Sequence, residues 1–268
     1  MTAVSGLGLA MGMMALAWVA SMARRDASLV DRFWGLTFVA LAWWYRGVAP
    51  APAAAPWFRD LVVALVTIWG VRLSLHITWR NWGHGEDFRY RAMREAGGPR
   101  WGWRNLVTVF ALQGVLAWVI AMPLLAVMAS ESTPHPLLVG LGVASWVIGI
   151  VFEAGGDWQL ARFRADSSNR GKVLDTGLWR YTRHPNYFGD AMCWWGYFLL
   201  GAAVGGWWSI FAPVLMTILL MKVSGVALLE ASLSESKPQY REYIRRTSPF
   251  VPWPPRGSRA PGGPATTA

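Results

Sequence analysis

The sequence predicts an all-α fold, a polytopic membrane bundle of about seven transmembrane helices with its N-terminus outside and its C-terminus cytoplasmic. Three observations predict it. Of the 268 residues, 54% are hydrophobic and only 15% are charged, against about 25% charged in a soluble domain. Apolar runs of roughly 20 residues, the length that crosses a bilayer, follow one another along most of the chain. The basic residues also alternate: stretches 23–34, 80–104, 162–187 and 230–268 hold 3, 6, 6 and 6 Lys/Arg, which is 21 of 25. Seven crossings bring all four stretches to one face, as the positive-inside rule demands.

The first run, Val4–Met22, has no basic residue before it and no clear cleavage site, so it reads as a retained helix rather than a signal peptide. The second, Leu29–Val48, reaches spanning length only by drawing Asp31 and Arg32 into the interface. The third and fourth, Asp60–Trp79 and Asn105–Ala129, flank a long charged connection. The fifth, sixth and seventh are Leu137–Gln159, Tyr187–Val204 and Trp207–Leu229. On the other face the connections are short or Pro-rich: Ala49–Pro56, Ser130–Pro136 and Gly205–Gly206. One transmembrane catalytic domain is expected over 1–255, followed by a Gly/Pro/Ala-rich disordered tail over 256–268.

Composition excludes several classes. A single cysteine, Cys193, rules out an internal disulfide and a cysteine-based metal cluster. His76, His84, His135 and His184 show no ligand spacing, so no metal is expected. The net charge of +10 lies in loops between apolar runs. That placement points to membrane orientation and anionic ligands, with no nucleic-acid partner. No nucleophile motif built on Ser or Cys is present. Neither is a Gly-x-Gly-x-x-Gly fingerprint, so any dinucleotide site must be built from helix ends and loops. Many of the 19 tryptophans fall near helix ends (Trp34, Trp57, Trp79, Trp101, Trp103, Trp207, Trp208). They fit an interfacial aromatic belt or, for some, the lining of an apolar substrate cavity.

Ionisable groups inside apolar runs are costly and therefore informative. On the third run Trp69, Arg72, His76 and Arg80 are spaced +3, +4 and +4, which puts them on one stripe. Arg80 either belongs to that stripe functionally or snorkels to the interface. Arg72, two turns deeper, is expected to bind an anion or a buried carboxylate. The fifth run carries Glu153, Asp157 and, seven residues on, Arg164, all on one face. They fit either an ion pair with Arg72 or Lys222, or acceptors for the hydroxyl and amide groups of a cofactor. Glu230 ends the seventh run. Asp31 fits a helix cap or a functional carboxylate at the cytoplasmic mouth of the bundle.

The segment Leu174–Gly189 reads LDTGLWRYTRHPNYFG. It offers a Gly turn and three cations, Arg180, Arg183 and His184. A proline break follows, then Asn186 and Tyr187 at a helix start. A helix N-terminus beside arginines favours an anion such as phosphate or carboxylate. His184, before Pro185, is disfavoured from helix, so an extended turn presents its ring.

The run GLWRYTRHPNYFGD, with LLEASLSESKPQYREYIRRTSPFVPWPP, DRFWG and the loop GEDFRYRAMRE, resembles the steroid 5-alpha-reductase-like membrane enzymes, in particular their bacterial branch, the DUF1295 group. The resemblance covers roughly residues 29–255 and extends to the isoprenylcysteine carboxyl methyltransferases of the same superfamily. It implies a seven-helix bundle in the bacterial inner membrane. It also implies NADPH entering from the cytoplasmic side and a hydrophobic, lipid-like substrate entering from the bilayer. Under it, Asn186 and Tyr187 contact the cofactor, as do Asp157 and Arg164 on the fifth helix, Arg72 on the third, and Arg241, after Tyr240, near the C-terminus. The chain departs from the steroid reductases by lacking Gln or Glu on the second helix and by placing Trp69 near a substrate-binding Tyr position. Asp31, Glu86 or Tyr90 is then expected to supply the polar catalytic group. Glu230 instead matches the methyltransferase arrangement. The expected activity is reduction of a C=C bond in a lipid or steroid-like substrate by NADPH. The alternative is methyl transfer from S-adenosylmethionine, held by His184, Tyr187 and Glu230, to a membrane-bound acceptor. A non-enzymatic pathway lined by Arg72, Glu153 and Asp157 is the third reading.

Overall fold

Long apolar stretches with few internal breakers fold here almost wholly into helices. The computed structural model describes residues 1–49, 55–223 and 238–256. Most of the Pro-rich connection, the end of the seventh expected run, Glu230 and the tail beyond Arg256 lie outside the described residues. The helices are α1 (Thr2–Arg24), α2 (Leu29–Val48), α3 (Pro56–Arg80), α4 (Phe88–Gly97), α5 (Trp101–Asn105), α6 (Leu112–Ile120), α7 (Met122–Ala129), α8 (Pro136–Ala165), α9 (Pro185–Ala202), α10 (Phe211–Ile218) and α11 (Pro238–Arg246). Among the described residues no strand forms, only an isolated bridge between Thr182 and Ser248.

The all-α membrane fold holds. Thr2–Arg24, Pro56–Arg80, the helical run Phe88–Ile120 and Pro136–Ala165 are long and apolar enough to cross a membrane. The α2 and α9 helices have 20 and 18 residues, or roughly 30 and 27 Å at 1.5 Å per residue, close to the hydrocarbon thickness of about 30 Å. Large apolar side chains face outward as well as inward, and several charged ones are buried, as a bilayer setting allows. Leu16, Ile68, Leu75, Leu141 and Val151 are exposed, while Arg59, Glu153 and Asp157 are buried.

Boundaries move where local chemistry decides. The charged connection after α3 contains α4, because Asp87 caps it by accepting from the Arg89 N–H at 3.0 Å. The fourth expected run is interrupted at Ala121, since Pro123 starts a new helix and cannot continue the old one. α8 runs six residues past Gln159, through LARFRA, and stops at Asp166, which turns extended. α9 starts at Pro185, whose missing N–H is no loss at a first helical position.

The chain forms two compact units, Met1–Val143 with Gly196–Val214, and Ala144–Trp195 with the described part of Leu215–Ala268. In the first, α2 and α3 touch backbone to backbone. A Cβ on Gly35 would lie 2.5 Å from the Gly70 carbonyl oxygen, and one on Gly70 2.6 Å from that of Gly35. Small residues at such crossings let membrane helices approach. Beside the crossing, Trp69 packs edge-on to Phe38 and Tyr197. In the second unit, α8 and α9 cross at Gly149 and Gly189 in the same manner.

Candidate functional site

Two polar clusters stand out, one in each unit. In the first unit, α2 supplies Asp31 and α4 supplies Arg89 and Tyr90. The Tyr90 hydroxyl donates to Asp31 Oδ1 at 2.7 Å, and Arg89 donates to Asp31 Oδ2 at 3.2 Å. Gln113 donates to the Tyr90 oxygen at 3.4 Å. Next to it Arg89 also holds Asp87. Burial alone would raise the Asp87 carboxyl, but the Arg89 hydrogen bonds and the charges of Arg89 and Arg80 outweigh it and hold it below 3.8. Asp31 and Tyr90, expected as alternative polar groups, therefore form one hydrogen-bonded pair. Glu86 is held differently. Its carboxylate accepts the Ala27 N–H at 2.8 Å and two Arg94 N–H groups at 2.8 and 2.9 Å, fastening α4 to the α1–α2 junction. Arg72 and His76 are half-buried on α3 and Arg80 is exposed. Among the described residues Arg80 Nε donates to Asn81 Oδ1 at 3.1 Å, and the His76 ring lies 6.0 Å from Trp79.

In the second unit, the turn 177–184 is braced from two sides. On the α8 side, the Trp179 Nε1–H donates to the Gly156 carbonyl at 3.1 Å, and the Leu178 N–H donates to Gln159 Oε1 at 3.0 Å. Gly177 has φ 59 and lies so close to Gln159 that a Cβ would meet it at 2.7 Å, so only glycine fits that corner. On the α11 side, the Tyr243 hydroxyl donates to the Trp179 carbonyl at 2.5 Å, and burial pushes this phenol above its usual range. Arg183 donates to the carbonyls of Ile244 and Thr247, each at 2.9 Å, and its own N–H donates to Ser248. A cation thus satisfies the orphan carbonyls at the α11 C-terminus. Arg246 pairs with Asp175.

This bracing shapes a pocket of about 400 Å³ at the end of α8, within the range of ligand sites, about 300–1,000 Å³. Its wall includes Arg164, Asp166, Arg170, Lys172, Trp179, Arg183, His184, Tyr240 and Tyr243. Five basic groups face one carboxylate, and Arg183, His184, Tyr240 and Tyr243 are buried. The Asp166 carboxylate is stabilised by the side-chain hydroxyl and backbone N–H of Ser168, which lower it against a small opposing burial effect.

Of the residues expected on this side, Arg164, His184, Arg183 and Tyr240 line the pocket. His184 stands before the helix as expected, its ring stacked on Tyr187 at 5.7 Å and 10°. Asp157 and Asn186 meet, the Asn186 amide donating to Asp157 Oδ1 at 3.1 Å. Glu153 is buried at the α8–α9 crossing, where a Cβ on Gly189 would touch its backbone. Glu153, Asp157, Asn186, Tyr187, Arg180 and Arg241 lie outside the pocket wall; Arg180 and Arg241 are exposed. Sequence reasoning passed over Arg89, Arg170, Lys172, Trp179 and Tyr243. Tyr243 had a signal: with Tyr240 and Ile244 it makes an apolar +3/+4 stripe on an otherwise charged helix. Arg170 and Lys172 flank Gly171 in a basic loop, which reads equally as topology-setting charge.

An uncharacterized protein of Schizosaccharomyces pombe is 24% identical over 88% of this chain and 75% of its own length. A bovine 3-oxo-5-alpha-steroid 4-dehydrogenase 1 is 33% identical over 25% of the chain and 26% of the enzyme. The rat 3-oxo-5-alpha-steroid 4-dehydrogenase 1 is 30% identical over 36% of each. No solved structure matches the chain significantly. The family model described as protein of unknown function (DUF1295) matches residues 17–247, so this multi-pass membrane protein belongs to the DUF1295 family, with partial similarity to steroid dehydrogenases.

Proposed function

We propose that the protein is a membrane-embedded, NADPH-dependent reductase of a C=C bond in a lipid or steroid-like substrate. In this reading one transmembrane catalytic domain over 1–255 sits in a bacterial inner membrane, with the basic end cytoplasmic. The observation that carries the reading is the pocket lining, with Arg164, Arg170, Lys172, Arg183 and His184 set against Asp166 alone. That donor set suits a ligand with several phosphates, and the aromatic walls of Trp179, Tyr240 and Tyr243 suit flat rings. The partial likeness to oxidoreductases adds to it.

NADPH, when bound, supplies the hydride. The chain's residues bind and orient it: Arg164, Arg170 and Lys172 neutralise phosphate, and Arg183, fixed on the α11 carbonyls, keeps His184 in the wall. A carbonyl conjugated to the C=C bond gathers negative charge as hydride adds to the far carbon, so a hydrogen-bond donor must meet that oxygen. A proton taken from water adds to the near carbon and completes the reduction.

The test is thermal stability of detergent-purified protein with NADPH, NADH or S-adenosylmethionine. A ligand that binds only the folded state adds about 2.7 kcal/mol at a hundredfold excess over Kd. NADPH is expected to raise the midpoint most. Arg170→Ala should shrink that shift while leaving the unliganded midpoint unchanged, because Arg170 is exposed. Stabilisation by S-adenosylmethionine alone would replace the reductase by a methyltransferase.

A further inference from the structure

We infer that the segment 247–256 is an in-plane membrane anchor that docks on anionic phospholipid headgroups. The inference is independent of which cofactor the pocket takes. Its depth is read from α8. This helix has 30 residues, roughly 45 Å at 1.5 Å per residue, so its end projects beyond a hydrocarbon core of about 30 Å. Trp158 is exposed near that end, with the Arg162 guanidinium 5.6 Å above its ring. A tryptophan beside an arginine marks the headgroup level of a spanning helix. The turn 178–183 is pinned at the same level by the bonds from Leu178 to Gln159 and from Trp179 to Gly156. The segment 247–256 is tied to this turn in its own right. The Thr182 hydroxyl donates to the Phe250 carbonyl at 2.7 Å and the Trp253 N–H donates to the Tyr181 carbonyl at 2.9 Å, while the Arg256 N–H closes back on the end of α11 at the Arg246 carbonyl, 2.9 Å away.

Phe250 is buried, whereas Val251 and Trp253 are 59% and 69% exposed and Tyr181 is 43% exposed. Large apolar groups at headgroup depth are stable where acyl chains and headgroups cover them. The surrounding exposed charges are Arg180, Arg245 and Arg256, against Glu242, which pairs with Arg245 at 3.5 Å. The net positive rim selects anionic over zwitterionic lipid. Each arginine near such a surface shifts the ratio of inserted to free segment about fivefold.

The experiment uses the full chain with Cys193→Ser, so that Val251→Cys carries the only thiol, labelled with an environment-sensitive fluorophore. The protein is reconstituted in nanodiscs of phosphatidylcholine, alone or with about 30% phosphatidylglycerol to supply the anionic surface. Quenching by a headgroup-borne spin label should be strong, aqueous iodide quenching weak, and the anionic lipid should increase the difference. Arg256→Glu should remove about fivefold or more of the inserted-to-free ratio. Trp253→Cys, labelled alike, repeats the measurement should the first variant fold poorly. Free iodide access at both positions, or lipid quenching indifferent to phosphatidylglycerol, overturns the assignment. Protection from iodide without lipid quenching would instead reveal a protein partner and overturn it equally.

Discussion

Replacing Gly189 by alanine adds one methyl group where two helices touch through their backbones. The new Cβ would meet the Glu153 nitrogen at 2.3 Å, the Gly149 carbonyl oxygen at 2.5 Å and the Glu153 Cα at 2.8 Å. All three are backbone atoms, so no side chain can swing away. Real Cβ contacts essentially never fall below 3.0 Å, so α8 and α9 must part by at least about 0.7 Å. A gap of about 0.5–1 Å forfeits a quarter to a half of each neighbouring contact, and such overpacking typically costs about 1–3 kcal/mol. At about 2–4 °C per kcal/mol for a chain near this size, the expected fall in the unfolding midpoint is roughly 2–12 °C. The same substitution at Gly140, on α8, meets nothing within 4 Å. There alanine gains helix propensity and should be neutral or stabilising by up to about 1 kcal/mol. The assay is thermal unfolding of both variants in one detergent. Equal midpoints for the two variants would refute the close crossing. Because Gly189 lies one turn past Pro185, its variant should also bind nucleotide more weakly, whereas the Gly140 variant should not.

Arg183→Lys replaces the rigid, planar guanidinium, whose Nη1 serves both the Ile244 and Thr247 carbonyls, by a shorter, more strongly hydrated ammonium that does not hold that position. Charge-assisted hydrogen bonds contribute about 1.5–3 kcal/mol each, so losing one or both should lower the unfolding midpoint markedly; a midpoint like the parent's would show that the guanidinium is dispensable. Asp87→Ala should cost roughly 0.5–1 kcal/mol at neutral pH through loss of the α4 cap. The Asp87 carboxyl is held below its usual 3.8, so its contribution is present above about pH 4 and is lost as pH falls through the folded value. The difference between parent and variant, read from denaturation midpoints against pH, should therefore close in acid; a gap that persists would assign the effect elsewhere. Tyr90→Phe removes the hydrogen bond to Asp31 and should lower the unfolding midpoint, because a half-buried carboxylate loses a donor; a midpoint like the parent's would show that this bond is dispensable.

Much of this protein was set locally, and local features are legible in a sequence. Spanning runs are recognised by length and apolarity because each must bury its backbone groups in its own hydrogen bonds. The break at His184 follows from Pro185, and the start of α9 at Pro185 from the same ring. Convergence was decided by the tertiary structure. Asp31 and Tyr90 are 59 residues apart and were separate candidates until the fold joined them. Asp157 and Asn186 meet because Gly156 lets Pro185 and Asn186 approach α8, where a Cβ would sit 3.0–3.1 Å from them. Glu86, a possible functional acid by sequence, proves to accept an N–H from Ala27 and two from Arg94. Arg183 likewise serves the end of α11. A charge in the sequence states what a side chain can bind, but which partner it receives depends on backbone approaches made by distant glycines, and only the folded chain fixes those.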